Sequence, residues 1–257
     1  MICQFTFENY KAFKGEAALD FLAEKIGEHE NSLIVAEECR EKAVPVIAIY
    51  GPNGGGKSTV LEALNFLRAT ILRVIVITKL HDEEDKYESV MRKLYSFPSR
   101  EIYYKLSSEC KELPTKFEIM FCAKGKKFKY QLSILKNRIV QENLYSQEMG
   151  TDEVELFFER SEEECILGEE IEDIAVEKVN DNIPLLSHIA INYDIETIDV
   201  VVKWFWDMEI LNYDNPQNEK KLFLPKSEEK RKQIFGMLEE MDIAIKGIRV
   251  EKDLDGN

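Results

Sequence analysis

The chain has 257 residues, with 34 Lys+Arg against 49 Asp+Glu and a formal net charge of −15. Hydrophobic residues make up 44% and charged residues 32%, a globular rather than a disordered mixture on a chain too long for a disulfide-stapled module. So acidic a chain makes a poor general binder of nucleic acid, because phosphate backbones need a cationic face.

The first residues alternate: Cys3, Phe5 and Phe7 against Gln4, Thr6 and Glu8. This predicts a half-buried strand with the first three on one face. Residues 17–21 predict a second strand, and 23–43 a polar surface excursion. Residues 44–50 (Val-Pro-Val-Ile-Ala-Ile-Tyr) form a continuous apolar run. That is the pattern of a strand buried on both faces, as in a parallel α/β core, with Pro45 at its edge.

After a glycine-rich loop, Leu61, Leu64, Phe66, Leu67, Ile71 and Leu72 have helical spacing over 57–79, although the β-branched run 74–77 weakens its end. Residues 81–113 read as a charged insertion. From Pro114 the texture changes. Phe117, Ile119 and Phe121, then Phe128, Tyr130, Leu132 and Ile134, alternate about Lys124-Gly125-Lys126. They predict an antiparallel hairpin, extended into a meander by 138–145 and 153–159. Residues 161–183 are acidic and read as solvated surface. Ile195, Ile198, Val202 and Phe205 predict a helix whose Trp204 and Trp206 pack rather than stack on a ligand. Ser227 begins another, with Ile234, Leu238 and Met241 on one face, and 247–250 reads as the start of a strand. The expected segments are 1–80, 81–113, 114–160 and 161–257.

No segment reads as a membrane span or a signal peptide. The longest apolar stretch, 69–78, is interrupted by Arg73, and the N-terminus lacks a basic region followed by an apolar core. Cys3, Cys39, Cys110, Cys122 and Cys165 form no CxxC pair, so reduced and mostly buried thiols in a cytoplasmic protein are expected.

The chemistry lies in 51–59, Gly-Pro-Asn-Gly-Gly-Gly-Lys-Ser-Thr. It satisfies G-x-x-x-x-G-K-[ST], the Walker A or P-loop pattern, at every fixed position, where a chance match has a probability of about one in a hundred. The glycines let successive N–H groups of Asn53, Gly54, Gly55 and Gly56 turn inward onto phosphate oxygens. The helix that follows offers its positive end to the same anion. Lys57 supplies a charge for the β- and γ-phosphates, Ser58 a Mg²⁺ ligand, and Thr59 support for the α-phosphate. ATP and Mg²⁺ are the expected ligands. Hydrolysis needs more, namely a carboxylate supporting the metal and a residue positioning water. Three apolar runs near acids were weighed for that role: 74–83, 189–194 and 204–209. None convinces, so catalytic residues stay unassigned. His29, His81 and His188 are isolated, and no N-K-x-D motif reads guanine.

An N-terminal strand ending Phe7-Glu8-Asn9-Tyr10-Lys11-Ala12-Phe13, a second strand, the loop, and Leu61-Glu62-Ala63-Leu64 resemble the ABC-type ATPase heads of the SMC/RecF/OLD group. With Glu142-Asn143-Leu144-Tyr145 and Leu156-Phe157-Phe158-Glu159-Arg160, the chain more closely resembles prokaryotic AAA/ABC-like ATPases of anti-phage and abortive-infection operons. The resemblance implies an α/β P-loop NTPase core with an added antiparallel meander and a helical C-terminal segment. It places the Asn9-Tyr10-Lys11 turn near the base and ribose, with Lys11 toward phosphate. It offers Gln141, Glu142 or Gln147 as a sensor of Mg²⁺ and the γ-phosphate. It further implies an ATP-dependent head dimer and an effector partner, a nuclease or toxin, with DNA not expected on this part. The family's signature turn and Asp-Glu strand are not found. Leu106-Ser107-Ser108-Glu109 lacks the signature glycine, so a further C-terminal lobe is expected. A P-loop kinase and a non-hydrolysing nucleotide sensor or scaffold remain as alternatives.

Overall fold

The structure, a computed structural model, describes residues 1–24, 26–27, 30–35, 41–79, 101–148, 150–176, 179–211 and 228–240. The chain divides into two units, Met1–Ile210 and Leu211–Asn257, so the expected boundaries at 80, 113 and 160 fall inside the first.

The first unit is built on one seven-stranded antiparallel sheet, with β1 (Ile2–Glu8), β2 (Ala17–Asp20), β5 (Thr115–Ala123), β6 (Lys126–Leu135), β7 (Arg138–Glu148), β8 (Val154–Ser161) and β9 (Cys165–Leu167) in the order β2-β1-β5-β6-β7-β8-β9. A separate two-stranded ribbon pairs β3 (Ile34–Val35) with β4 (Lys42–Ala43). The hairpin turns are of the kind that matches strand twist. Lys124 and Gly125 both have positive φ (49° and 78°), as do Lys136 and Asn137 (49° and 70°). The predicted meander is therefore present, and it continues β1.

Three helices cover one face: α1 (Lys57–Lys79), α2 (Leu185–Asn192) and α3 (Glu196–Asp207). Helix α1 runs through the β-branched stretch because Ile75 and Val76 are buried there, and tertiary burial outweighs a weak propensity. Phe5, Phe7, Phe117, Phe121, Phe128, Phe158 and Phe205 are all buried in the core between sheet and helices. Each contributes about 1.5–3 kcal/mol of transfer free energy. Trp204 stacks on Phe121 with ring centroids 3.9 Å apart, which is the packing role expected of it. Arg68 of α1 closes the end of α3, its Nε donating to the Phe205 carbonyl at 2.9 Å.

Two expectations are corrected. Residues 46–50 lie outside any strand, with Val46 76% and Tyr50 90% exposed; among the described residues, none offers them a ladder. The strands of this unit are satisfied by one another in the antiparallel sheet. The run 189–194 is not strand-like either, because it begins within α2. Leu185, Leu186, Ile189 and Ala190 have helical spacing and are all buried, behind Pro184 at the N-cap.

In the second unit, α4 (Glu228–Glu240) carries an exposed Ile234 and Met237. Ser227, Met241 and 247–250 lie outside the described residues, as do His29, His81 and 80–100.

Candidate nucleotide-binding site

The loop 51–59 leads directly into α1, whose first residue is Lys57. Gly54 and Gly56 have φ of +79° and +86°, a conformation that only glycine adopts without strain. Gly55 N–H donates to the Pro52 carbonyl at 3.1 Å and Thr59 N–H to the Gly56 carbonyl at 3.0 Å, so the chain turns twice before the helix is under way. Residues 51–55 and Ser58 are exposed. No acidic residue occupies the first turn of α1, so nothing there repels an anion. Lys57 Nζ folds back to donate to the Gly51 carbonyl at 2.9 Å and the Pro52 carbonyl at 2.8 Å. Both partners are neutral carbonyl oxygens.

The loop rests on the turn after β1. Tyr10 and Phe13 exchange backbone hydrogen bonds of 2.9 and 2.8 Å, and Lys11 N–H donates to the Ile102 carbonyl. The turn needs Asn9 at φ +53° and Lys11 at +46°. The Phe13 ring lies against Gly56 and stands edge-on to Phe7, with centroids 5.0 Å apart. Lys11 Nζ reaches Glu62 of α1 at 2.7 Å and lies 5.6 Å over the Tyr10 ring. Tyr10 is buried, its hydroxyl on the Glu62 carbonyl at 3.4 Å, and burial followed by the Glu62 charge drives its pKa upward.

The expected site residues separate into groups. Asn53, Gly54, Gly55, Gly56, Lys57, Ser58 and Thr59 form the loop itself, and Lys11 stands beside it through Glu62. Asn9 is 3% exposed, and its amide holds the Cys110 carbonyl at 2.8 Å and the Leu113 carbonyl at 3.0 Å while accepting from Tyr104 N–H. Asn9 thus builds the turn on which the loop rests.

Glu142, one of the three sensor candidates, lies in the core. It is 0% exposed and accepts from Tyr130 OH at 2.9 Å, Leu185 N–H at 2.6 Å and Leu186 N–H at 3.0 Å, with Arg160 Nη1 at 3.9 Å. It closes the N-terminus of α2, with both oxygens accepting hydrogen bonds. Gln147 donates to the Thr151 carbonyl at 2.8 Å at one end of β7. Gln141 lines a polar depression of 270 Å³ formed by β6 to β9, with no loop residue in its wall. Among the described residues, no cluster of three His, Cys, Asp or Glu fits a metal. The Ser58 hydroxyl is the loop's own candidate for Mg²⁺, an ion that keeps several waters when bound.

Sequence reasoning passed over Phe13 and Glu62. Glu62 lies four residues after Ser58, one helical turn along the same face, and that spacing was the available signal.

Residues 46–222, more than half of the chain, match the family described as "AAA domain, putative AbiEii toxin, Type IV TA system". The chain belongs to this family. It is an AAA-like P-loop ATPase domain related to abortive-infection systems. The match begins at Val46, so β1 and the turn beneath the loop precede it. No curated protein matches the chain. Among the described residues, no helix is long and apolar enough to cross a membrane.

Proposed function

We propose that this domain binds Mg²⁺-ATP in the 51–59 loop and acts as a nucleotide-driven switch, controlling an effector protein in phage defence or a DNA transaction. The observation that carries the reading is Lys57 held on the carbonyls of Gly51 and Pro52, at the mouth of an exposed glycine loop seated on Phe13. Lys57 Nζ would exchange those carbonyls for the β- and γ-phosphates, and the backbone N–H groups of 53–57 would cradle the oxygens. Ser58 would hold Mg²⁺, which would supply charge neutralisation to the bound phosphates. Lys11, released from Glu62, adds a second cation at the same end of the site.

Binding and hydrolysis separate at this point. All three acidic runs weighed as metal-supporting strands touch helix in the described residues: 74–79 lies in α1, 189–192 in α2, and 204–207 in α3. On this reading none of the three runs supplies the carboxylate for hydrolysis, and the chain alone turns over slowly or serves as a nucleotide sensor. The effector reading, a nuclease or toxin partner, and ATP-dependent self-association rest on the family resemblance.

The test is calorimetric titration of the full chain with Mg²⁺-ATP, repeated with Lys57→Ala. Micromolar binding lost in the variant supports the reading. Unchanged binding in the variant refutes it. Phosphate transfer from ATP to a small acceptor would favour a kinase instead.

A further inference from the structure

Strands β1 and β5 pair in register from Gln4–Met120 to Glu8–Lys116 and slip once, between Ile2 and Gln4. The slip is a β-bulge at Cys3, and bulges re-aim side chains. Strict alternation would send Cys3 to the helix-covered face with Phe5 and Phe7. Instead Ile2 packs with the main core, while Cys3 joins Cys122, Met120, Met1 and Leu22 in a small cluster of their own. The two sulfurs are 3.5 Å apart, and the residues are 0% and 3% exposed. The strand ends are held together around them. The Met1 ammonium donates to the Cys122 carbonyl at 2.7 Å, and Cys122 N–H donates to the Met1 carbonyl at 2.8 Å.

We propose that Cys3 and Cys122 are a redox site that closes reversibly into an intrachain disulfide, cross-linking the N-terminal strand to β5. The oxidant is a peroxide. The Cys3 thiolate attacks a peroxide oxygen, the O–O bond breaks, and hydroxide leaves to take up the Cys3 proton as water. The Cys122 thiolate then attacks the Cys3 sulfur of the sulfenic acid, the S–O bond breaks, and a second water departs with the Cys122 proton. Two thiols and one peroxide give one disulfide and two waters, the sulfurs oxidised and the peroxide reduced.

Closure brings the sulfurs from 3.5 Å to about 2.05 Å. The charged groups around the pair are Lys127, its partner Glu41 at 3.1 Å, and the Met1 ammonium. The hydrogen bond shared with Cys122, opposed by burial and assisted by Lys127, holds the Cys3 thiol below its ordinary range, which favours its thiolate as the attacking sulfur. Because β1 runs straight into the turn beneath Gly56, the cross-link clamps the strand that carries the loop's seat.

The experiment treats the full-length folded chain with hydrogen peroxide, traps free thiols with N-ethylmaleimide, and maps peptides without reduction. The expected product is a Cys3–Cys122 linked peptide and an intact mass lower by about 2 Da, reversed by dithiothreitol. Its Tm rises by about 5 °C or more, since the bond closes a long loop. Cys165→Ser leaves the link intact, and Cys122→Ala abolishes it. Cys3 and Cys122 both still alkylated after peroxide, or a dominant link through Cys39 or Cys165, overturns the proposal. The mapping needs only the wild-type chain and reads without nucleotide, so it stands apart from the ATP-binding assay.

Discussion

A side-chain carbon at Gly56 would lie 2.9 Å from the Phe13 ring, closer than carbon atoms pack. The last glycine of the phosphate loop is therefore set by two demands at once, a φ of +86° and an aromatic ring where a β-carbon would stand. Gly56→Ala meets both, and we expect it to weaken Mg²⁺-ATP binding at least tenfold, or about 1.4 kcal/mol. In the double variant Phe13→Ala/Gly56→Ala the clash is gone but the backbone strain remains, so calorimetry should show partial recovery. Full recovery would mean that φ is unimportant there; none would mean that Phe13 is not the obstacle.

Asn9 supports the same turn from below. Its amide bridges Cys110 and Leu113, and its φ is +53°. Asn9→Gly keeps the backbone freedom and loses the side-chain bonds, at a cost of about 1–3 kcal/mol in urea unfolding. Asn9→Ala loses both and should cost about 1 kcal/mol more, the penalty of a left-handed residue with a Cβ. Equal losses would show that the conformation is not strained.

The alternating meander and the glycine loop were legible in the sequence because their information is local. Phe117 to Ile134 declare a two-residue period, and Lys124-Gly125 supplies the turn between them. The loop pattern likewise needs no distant partner. What failed depended on distant residues. The apolar 46–50 reads as a buried strand, but burial requires neighbours that period and composition cannot supply. The buried acid Glu142 reads as a sensor until Leu185 and Leu186, 43 and 44 residues later, are seen donating to it. The alternation of β1 was legible, but the register slip between Ile2 and Gln4 that brings Cys3 to Cys122 was not, since nothing local to Ile2-Cys3-Gln4 announces it.

Two glycines with opposite surroundings give a paired prediction. A Cβ on Gly168 would sit 1.8 Å from the Leu156 carbonyl oxygen, where the chain leaves β9. The obstacle is backbone and cannot rotate away. Gly168→Ala should destabilise the first unit by about 3 kcal/mol or more. A Cβ on Gly236, within α4, meets nothing within 4 Å. Gly236→Ala should stabilise that helix by up to about 1 kcal/mol. Thermal unfolding followed by circular dichroism distinguishes the two, and a neutral Gly168→Ala would contradict the close approach of β8.

Glu142 gives the pH-dependent prediction. Burial raises its carboxyl above the ordinary 4.5, against the opposing pull of Leu186 N–H, Leu185 N–H, Tyr130 OH and Arg160. The folded chain thus holds this proton more tightly than the unfolded chain does. By linkage its contribution to stability is fully present below pH 4.5 and falls as pH rises through the higher folded value. Glu142→Ala leaves two N–H groups of α2 and the Tyr130 hydroxyl without their acceptor, at a cost of about 3–5 kcal/mol. Glu142→Gln keeps one acceptor oxygen but turns an NH₂ toward donors, so its loss should be intermediate. The gap between wild type and Glu142→Ala should be widest near pH 4.5 and narrow toward neutrality, measured by urea unfolding across that range. A gap that widens with pH would place the folded pKa below 4.5 and make the carboxylate, rather than the carboxylic acid, the preferred form in the core.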